Sequence, residues 1–134
     1  MSAKGDQSCR PSALLGFALT LLKTPGRWAP GNLAVDGKGV KVRPSDPSAA
    51  RWDSTGALLR AWSVLYSPKD AAPFLAALAC LRQAVGAGDR NAELFRWEDR
   101  PERTHPDIMA AFQRAIILAY QRPGGTTPEP SAAA

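Results

Sequence analysis

The stretch that decides the fold is residues 51–65, RWDSTGALLRAWSVL. Asp53 or Ser54 can cap a helix here, because their side-chain oxygens accept hydrogen bonds from the first backbone N–H groups. Gly56 costs about 1 kcal/mol in a helix relative to alanine, so we interpret it as the site of a tight helix crossing. After the cap, apolar residues at helical spacing predict a buried stripe formed by Ala57, Leu58, Ala61, Trp62 and Leu65.

Three further segments show helical spacing. The first begins at Pro11 and ends at Thr24-Pro25-Gly26, the second runs from Asp70 to Gly86, and the third begins at Thr104. Asp107 lies three residues after Thr104 and approximates a capping box. Residues 91–97 can add one short helical segment. The predicted buried stripes are Leu14, Leu15, Ala18, Leu21 and Leu22, then Phe74, Leu75, Leu78, Leu81 and Val85, then Ile108, Phe112, Ala115, Ile116 and Ala119.

Between the helix that begins at Pro11 and the helix that begins after Asp53, the apolar residues follow the spacing of β-strands. Leu33 and Val35 alternate with small or polar residues, as do Val40 and Val42, and the segment Asp36-Gly37-Lys38-Gly39 between them is a strong turn signal. This pattern predicts a β-hairpin near residues 32–43, with its apolar face on the helices. A short helical turn is expected at residues 48–51.

The predicted fold is mainly α, a compact bundle of about four helices with one short β-hairpin. We expect a single domain over residues 11–121, a flexible N-terminus over residues 1–10 and a disordered tail over residues 122–134. The apolar content is 45% and the charged content 22%. No apolar run approaches the roughly 18 residues of a membrane span, and no signal-peptide pattern opens the chain. We therefore expect a soluble, cytoplasmic protein that does not enter a membrane.

The positive charge is concentrated in the first half of the chain. The net charge is +5, and residues 1–67 carry nine Lys/Arg against four Asp/Glu, whereas residues 68–134 carry eight of each. A basic region of this kind can attract phosphate groups or an acidic protein, but because there is no run of basic residues, a soluble surface is the commoner explanation. The candidate phosphate contacts are Lys38, Lys41, Arg43, Arg51 and Arg60.

Three tryptophans have an arginine as their neighbour in sequence. The pairs are Arg27 with Trp28, Arg51 with Trp52, and Arg96 with Trp97. Such pairs can stack on bases or bind phosphates, but a rim tryptophan covered by an arginine stem gives the same pattern. We favour tryptophans that anchor the core.

The sequence assembles no catalytic or metal site. His105 is the one histidine, so two-imidazole zinc motifs are excluded. The acidic residues Glu98, Asp99, Glu102 and Asp107 can offer oxygen ligands, but arginines interleave with them, and we favour an internally paired polar loop. Cys9 and Cys80 form no metal knuckle. We expect no cofactor, no metal and no catalytic residue.

Several motifs carry a family resemblance: Trp28, Arg51-Trp52, Gly56-Ala57-Leu58, Trp97-Glu98-Asp99 and Arg103-Thr104. Their order resembles a family of small bacterial proteins catalogued only as a domain of unknown function. Two departures from the family stand out: it tends to have Trp-Cys at Trp52-Asp53 and Trp-Asn-Asp at residues 97–99. Thiol chemistry at the first position therefore cannot operate here. The resemblance implies one compact helical domain and no known activity.

Three functions remain open at this point. The leading hypothesis is a non-enzymatic binding or accessory domain that recognises another protein. The second is nucleic-acid binding through the basic first half, with the hairpin entering or bracing a groove. The third is a small enzyme that uses His105 with Asp99 or Asp107.

Overall fold

The computed structural model describes residues 10–65 and 70–121. In these two ranges the chain forms five α-helices and one two-stranded antiparallel sheet, so the mainly helical class is confirmed and the helix count is one higher than predicted. Residues 1–9 and 122–134, predicted to be flexible or disordered, lie outside the described residues. The elements are α1 (Pro11–Leu22), β1 (Ala34–Asp36), β2 (Ala49–Trp52), α2 (Ser54–Leu65), α3 (Ala72–Val85), α4 (Asn91–Glu98) and α5 (His105–Gln121).

Three helix ends follow the predicted capping chemistry, whereas α3 begins at Ala72, with Ala71 and not Asp70 at the cap position. Asp53 accepts a hydrogen bond from the Gly56 N–H at the start of α2. At the start of α5, Asp107 accepts from the backbone N–H of Thr104 and donates its own N–H to the Thr104 hydroxyl, so the capping box is confirmed. Gly86 ends α3 with a positive φ of 72°, a conformation that glycine adopts without steric cost.

The strand pairing differs from the prediction. The chain turns at residues 36–40 as expected, and residues 40–42 form one bridge with β1, between Val35 and Lys41. The Asp36 N–H donates to the Val40 carbonyl and the Val42 N–H donates to the Ala34 carbonyl. Along its other edge β1 pairs with β2, a partner that the sequence did not predict, which places Val35 opposite Arg51. The helical turn predicted at residues 48–51 is therefore wrong, because residues 49–51 belong to β2.

Burial explains why the later segment is the partner strand. Val40 is 58% exposed, so the segment after the turn contacts the core through Val42 and not through Val40. β2 instead ends on Trp52, which is 2% exposed and donates its indole N–H to the Pro44 carbonyl. Burying a tryptophan removes far more apolar surface from water than covering one valine.

The buried stripes of the helices meet in one hydrophobic cluster. Most predicted core positions lie in it, including Leu58 of α2 and Phe112 of α5, both fully buried. Leu75 is an exception, because it is 55% exposed on the outer face of α3. No helix in the described ranges is long and apolar enough to cross a membrane.

The close approach predicted at Gly56 exists, but its partner is not a helix. A Cβ at this position would overlap the backbone carbonyl of Leu33, which lies just before β1. Asp53 donates its N–H to the carbonyl of Asn32, the residue before Leu33, so the start of α2 lies directly against this segment. Gly56 thus sets the distance between α2 and the chain that leads into the sheet.

Candidate functional site

Glu98, the last residue of α4, is buried at the start of α2. It is 1% exposed. Its Oε2 accepts hydrogen bonds from the Trp28 indole N–H at 2.7 Å and from the Ser54 backbone N–H at 2.9 Å, and its Oε1 accepts from the Ser54 hydroxyl at 2.6 Å. Three donors from two residues, Trp28 and Ser54, therefore join the end of α4 to two other segments of the chain.

Asp53 is the second buried carboxyl group at the same end of α2. It is 3% exposed, and its Oδ1 accepts from the Gly56 N–H at 2.7 Å. Burial and the nearby Glu98 carboxylate raise the pKa of Asp53 to about 8, and burial also raises the pKa of Glu98. The helix N-terminus favours negative charge here, but desolvation outweighs it. At neutral pH the pair therefore keeps a proton.

The prediction of an internally paired polar loop holds for Glu102 and Asp107 but not for Glu98. Arg100 lies 3.7 Å from Glu102, and Arg103 lies 3.7 Å from Asp107, so these two carboxylates pair with neighbouring arginines as expected. Glu98 does not, because its partners are Trp28 and Ser54, far away in sequence.

The His105 side chain joins the start of α5 to the end of α1 by a hydrogen bond. Its Nε2 lies 2.6 Å from the Leu22 carbonyl oxygen, which can only accept, so this nitrogen carries the proton and donates. Its ring centre is 6.5 Å from that of Trp28. Within the described residues His105 has no hydrogen bond to Asp99 or Asp107, and no group of three His, Cys, Asp or Glu side chains there could hold a metal ion.

Four of the five predicted phosphate contacts lie around the turn and the sheet. Lys41 and Arg51 stand opposite Val35 on its two sides, while Lys38 lies within the turn and Arg43 follows it. None of the four forms an ion pair with another described residue. We call Lys38, Lys41, Arg43 and Arg51 the basic turn.

Arg60 is separate from the basic turn. It donates to the Asp46 carbonyl at 3.1 Å, and its guanidinium lies 5.8 Å from the centre of the Trp52 ring. Arg60 thereby fastens the loop that precedes β2 onto α2. This contact explains its position without a ligand.

The stacking partners of the tryptophans are not their sequence neighbours. Trp52 lies under Arg60 instead of Arg51, and Trp97 lies under Arg103 instead of Arg96, at 3.9 Å from the ring centre. The neighbouring positions in the sequence therefore predicted neither the Arg60–Trp52 pair nor the Arg103–Trp97 pair. Arg103 also donates its Nε–H to the Trp97 carbonyl at 2.9 Å, a local contact made by a loop that turns back on itself.

A family model matches residues 7–118, a range that contains the buried carboxyl pair, the basic turn and His105. The chain belongs to DUF6197. DUF6197 is described as a family of unknown function, so the predicted resemblance is confirmed and membership assigns no activity. No curated protein and no solved structure matches this DUF6197 chain.

Proposed function

We propose that this DUF6197 chain is a non-enzymatic binding domain that recognises another protein, with the basic turn contacting an acidic surface of that partner. The observation that carries the proposal is the basic turn itself: four cationic side chains gathered around one turn and free of ion pairs with described residues. Charge of this kind steers an oppositely charged partner into contact.

The acids near the basic turn are already engaged. The Asp36 carboxylate accepts from the backbone N–H groups of Lys38 and Val40. The Asp46 carboxylate accepts from the N–H and hydroxyl of Ser48, and these bonds lower its pKa. Both carboxylates therefore shape their own turns and leave the lysines and arginines available to a partner.

Apolar surface beside the basic turn favours a protein over a nucleic acid. Val40 is 58% exposed and Leu33 is 41% exposed. A shallow hollow of about 310 Å³ is lined by Leu33, Lys41 and Val42. Protein interfaces combine an apolar centre with a charged rim, whereas contacts with nucleic acid are mainly to phosphates.

Among the residues that the structure describes, no assembled group supports the enzymatic alternative. The protonated nitrogen of His105 is used by the Leu22 carbonyl, and Glu98 is bonded by three donors. Asp107 takes part in the capping box of α5. A general base must reach its proton within hydrogen-bond distance, and these groups are instead held by contacts that stabilise the fold.

Charge reversal tests the proposal. The turn variant carries Lys38→Glu, Lys41→Glu and Arg43→Glu, and the control variant carries Lys23→Glu, Arg27→Glu and Arg90→Glu, three exposed cations outside the turn. We expect the turn variant to lose at least about tenfold in affinity for the partner, while the control keeps it. Quantitative affinity capture from native lysate identifies the partner, and titration calorimetry with the purified partner gives the affinities. Equal binding by the two variants would contradict the proposal.

Nucleic acid remains the second candidate, because the same four cations could neutralise phosphates. In that case affinity for a duplex should fall with salt, with a slope of log K against log[salt] of about −3 to −4 for four phosphate contacts. Fluorescence anisotropy with labelled duplex and single strands, starting at about 50 mM salt, measures this slope. Absence of binding at that salt concentration removes this candidate and leaves protein recognition untouched.

A further inference from the structure

A second concave surface lies away from the residues of the basic turn. It is a cleft of about 330 Å³ formed where α3, α5, the end of α4 and the loop after α4 meet. Its lining includes Val85, Trp97, Arg103, Asp107, Ala111 and Arg114. Its volume lies at the lower end of the range of about 300–1,000 Å³ that small-molecule sites occupy.

Arg103 is held in place before any ligand arrives. Its guanidinium stacks 3.9 Å from the centre of the Trp97 ring, and its Nε–H donates to the Trp97 carbonyl. Its side chain is only 17% exposed. An arginine has five N–H donors, so these contacts and the 3.7 Å ion pair with Asp107 leave donor capacity unused. A guanidinium fixed in this way loses little freedom when it binds a carboxylate.

The charged side chains that line the cleft favour a ligand with a single negative charge. Arg103 and Arg114 supply two cations, and Asp107 supplies one carboxylate. Asp107 is already bonded to Thr104, and hydrogen bonding there lowers its pKa, so it stays ionised. Within the described ranges Arg114 forms no ion pair and is exposed. One cationic charge is therefore left over.

The remaining wall of the cleft is small and apolar. Val85 and its neighbour Ala84 come from α3, and Ala110 and Ala111 come from α5. Short side chains leave room for an aliphatic group about the size of a propyl or isopropyl group next to the indole of Trp97. We propose that this cleft binds a carboxylate attached to a small apolar group. Two sources carry this chemistry, a free short-chain organic acid and the C-terminal residue of a peptide.

Titration with pentanoate, followed by the ¹H–¹⁵N spectrum of the intact protein, tests the site. We expect saturable shifts of the Trp97 indole signal at millimolar concentration, the affinity available to a ligand of this size. Pentanamide, which has the same shape without the charge, is expected to cause none. Equal shifts with pentanamide, or no saturable shift with pentanoate and with the peptide below, overturn the proposal.

Two variants and one control locate the binding. Arg114→Gln removes the exposed cation, and Ala110→Leu fills the apolar wall from an exposed position, so neither change disturbs the core. We expect each to weaken binding at least about tenfold. Arg27→Gln removes an exposed cation outside the cleft and should bind as the native chain does. Unchanged affinity in Arg114→Gln would contradict the assignment.

The peptide Gly-Ala-Val separates the two sources of ligand. With a free C-terminus it presents a carboxylate beside an isopropyl group, and its C-terminal amide presents the same group without charge. Tighter binding of the free peptide than of pentanoate assigns the cleft to a chain terminus. Tighter binding of pentanoate assigns it to a small organic acid. Both results support carboxylate recognition, whereas binding of the amidated peptide as strong as that of the free peptide contradicts it.

Discussion

Replacement of Gly56 by alanine is expected to lower the free energy of unfolding by about 3 kcal/mol or more, the range of severe overpacking. The new Cβ would overlap the backbone carbonyl of Leu33, and backbone cannot rotate away as a flexible side chain can. The Leu33 segment is fixed on both sides. Asn32 accepts the Asp53 N–H at 3.0 Å, and Ala34 pairs with Trp52 in the sheet. Relief of the overlap must therefore break one of these contacts.

Gly16 provides a matched control within the same chain. It lies in the middle of α1, where a Cβ would meet nothing within 4 Å. Gly16→Ala is therefore expected to stabilise the chain by up to about 1 kcal/mol, the helix propensity difference. Urea unfolding followed by circular dichroism measures both variants. If Gly56→Ala were as stable as the native chain, the close packing of α2 on Leu33 would be wrong.

The elements that sequence predicted well depend on local interactions. The capping box of Thr104 and Asp107 and the stop at Gly86 involve residues only a few positions apart, so their pattern is visible in the sequence. The partner on the other edge of β1, which is β2, could not be found in this way. Its choice depends on burying Trp52 in a core built by distant helices, while the strong turn signal at residues 36–39 favoured the nearer segment.

The same division applies to the candidate site. The cations of the basic turn are clustered in sequence, so charge counting pointed to them, but the role of Arg60 depends on Trp52 and on the loop carbonyl of Asp46. Glu98 shows the limit most clearly. It is surrounded by arginines in sequence, yet its partner Trp28 is 70 residues away. A short-range pattern of charges therefore predicted an ion-paired loop where the fold builds a buried hydrogen-bonded network.

The stability of the chain is expected to fall as the pH rises from about 5 to about 9, because of the buried Asp53. Its pKa is about 8 in the folded chain, whereas an aspartate exposed to water by unfolding returns to the ordinary pKa of 3.8. Between these values the folded state binds more protons than the unfolded state, so the free energy of unfolding decreases with pH. The contribution is complete below the unfolded pKa and is lost above the folded one. Each unit of difference corresponds to about 1.4 kcal/mol, so a loss of a few kcal/mol is expected.

Asp53→Asn separates this effect from other titrations. Asparagine caps a helix nearly as well as aspartate, so its side-chain oxygen can still accept the Gly56 N–H, but it has no proton to lose. Urea midpoints measured from pH 5 to 9 should decline in the native chain and decline much less in Asp53→Asn. Glu98→Gln should flatten part of the slope as well, since the Glu98 carboxylate helps to raise the Asp53 pKa.

Two other carboxyl groups, Asp46 and Asp107, have lowered pKa values and do not contribute to a loss of stability between pH 5 and 9. Hydrogen bonds lower the pKa of Asp46 and Asp107, so their stabilising contribution is present above the ordinary aspartate pKa of 3.8 and is lost only as the pH falls below it. A decline between pH 5 and 9 therefore cannot come from them. A flat or rising profile in the native chain, or an equal slope in Asp53→Asn, would show that Asp53 is ionised in its buried position. The hydrogen bonds at the start of α2 would then stabilise negative charge more strongly than burial opposes it.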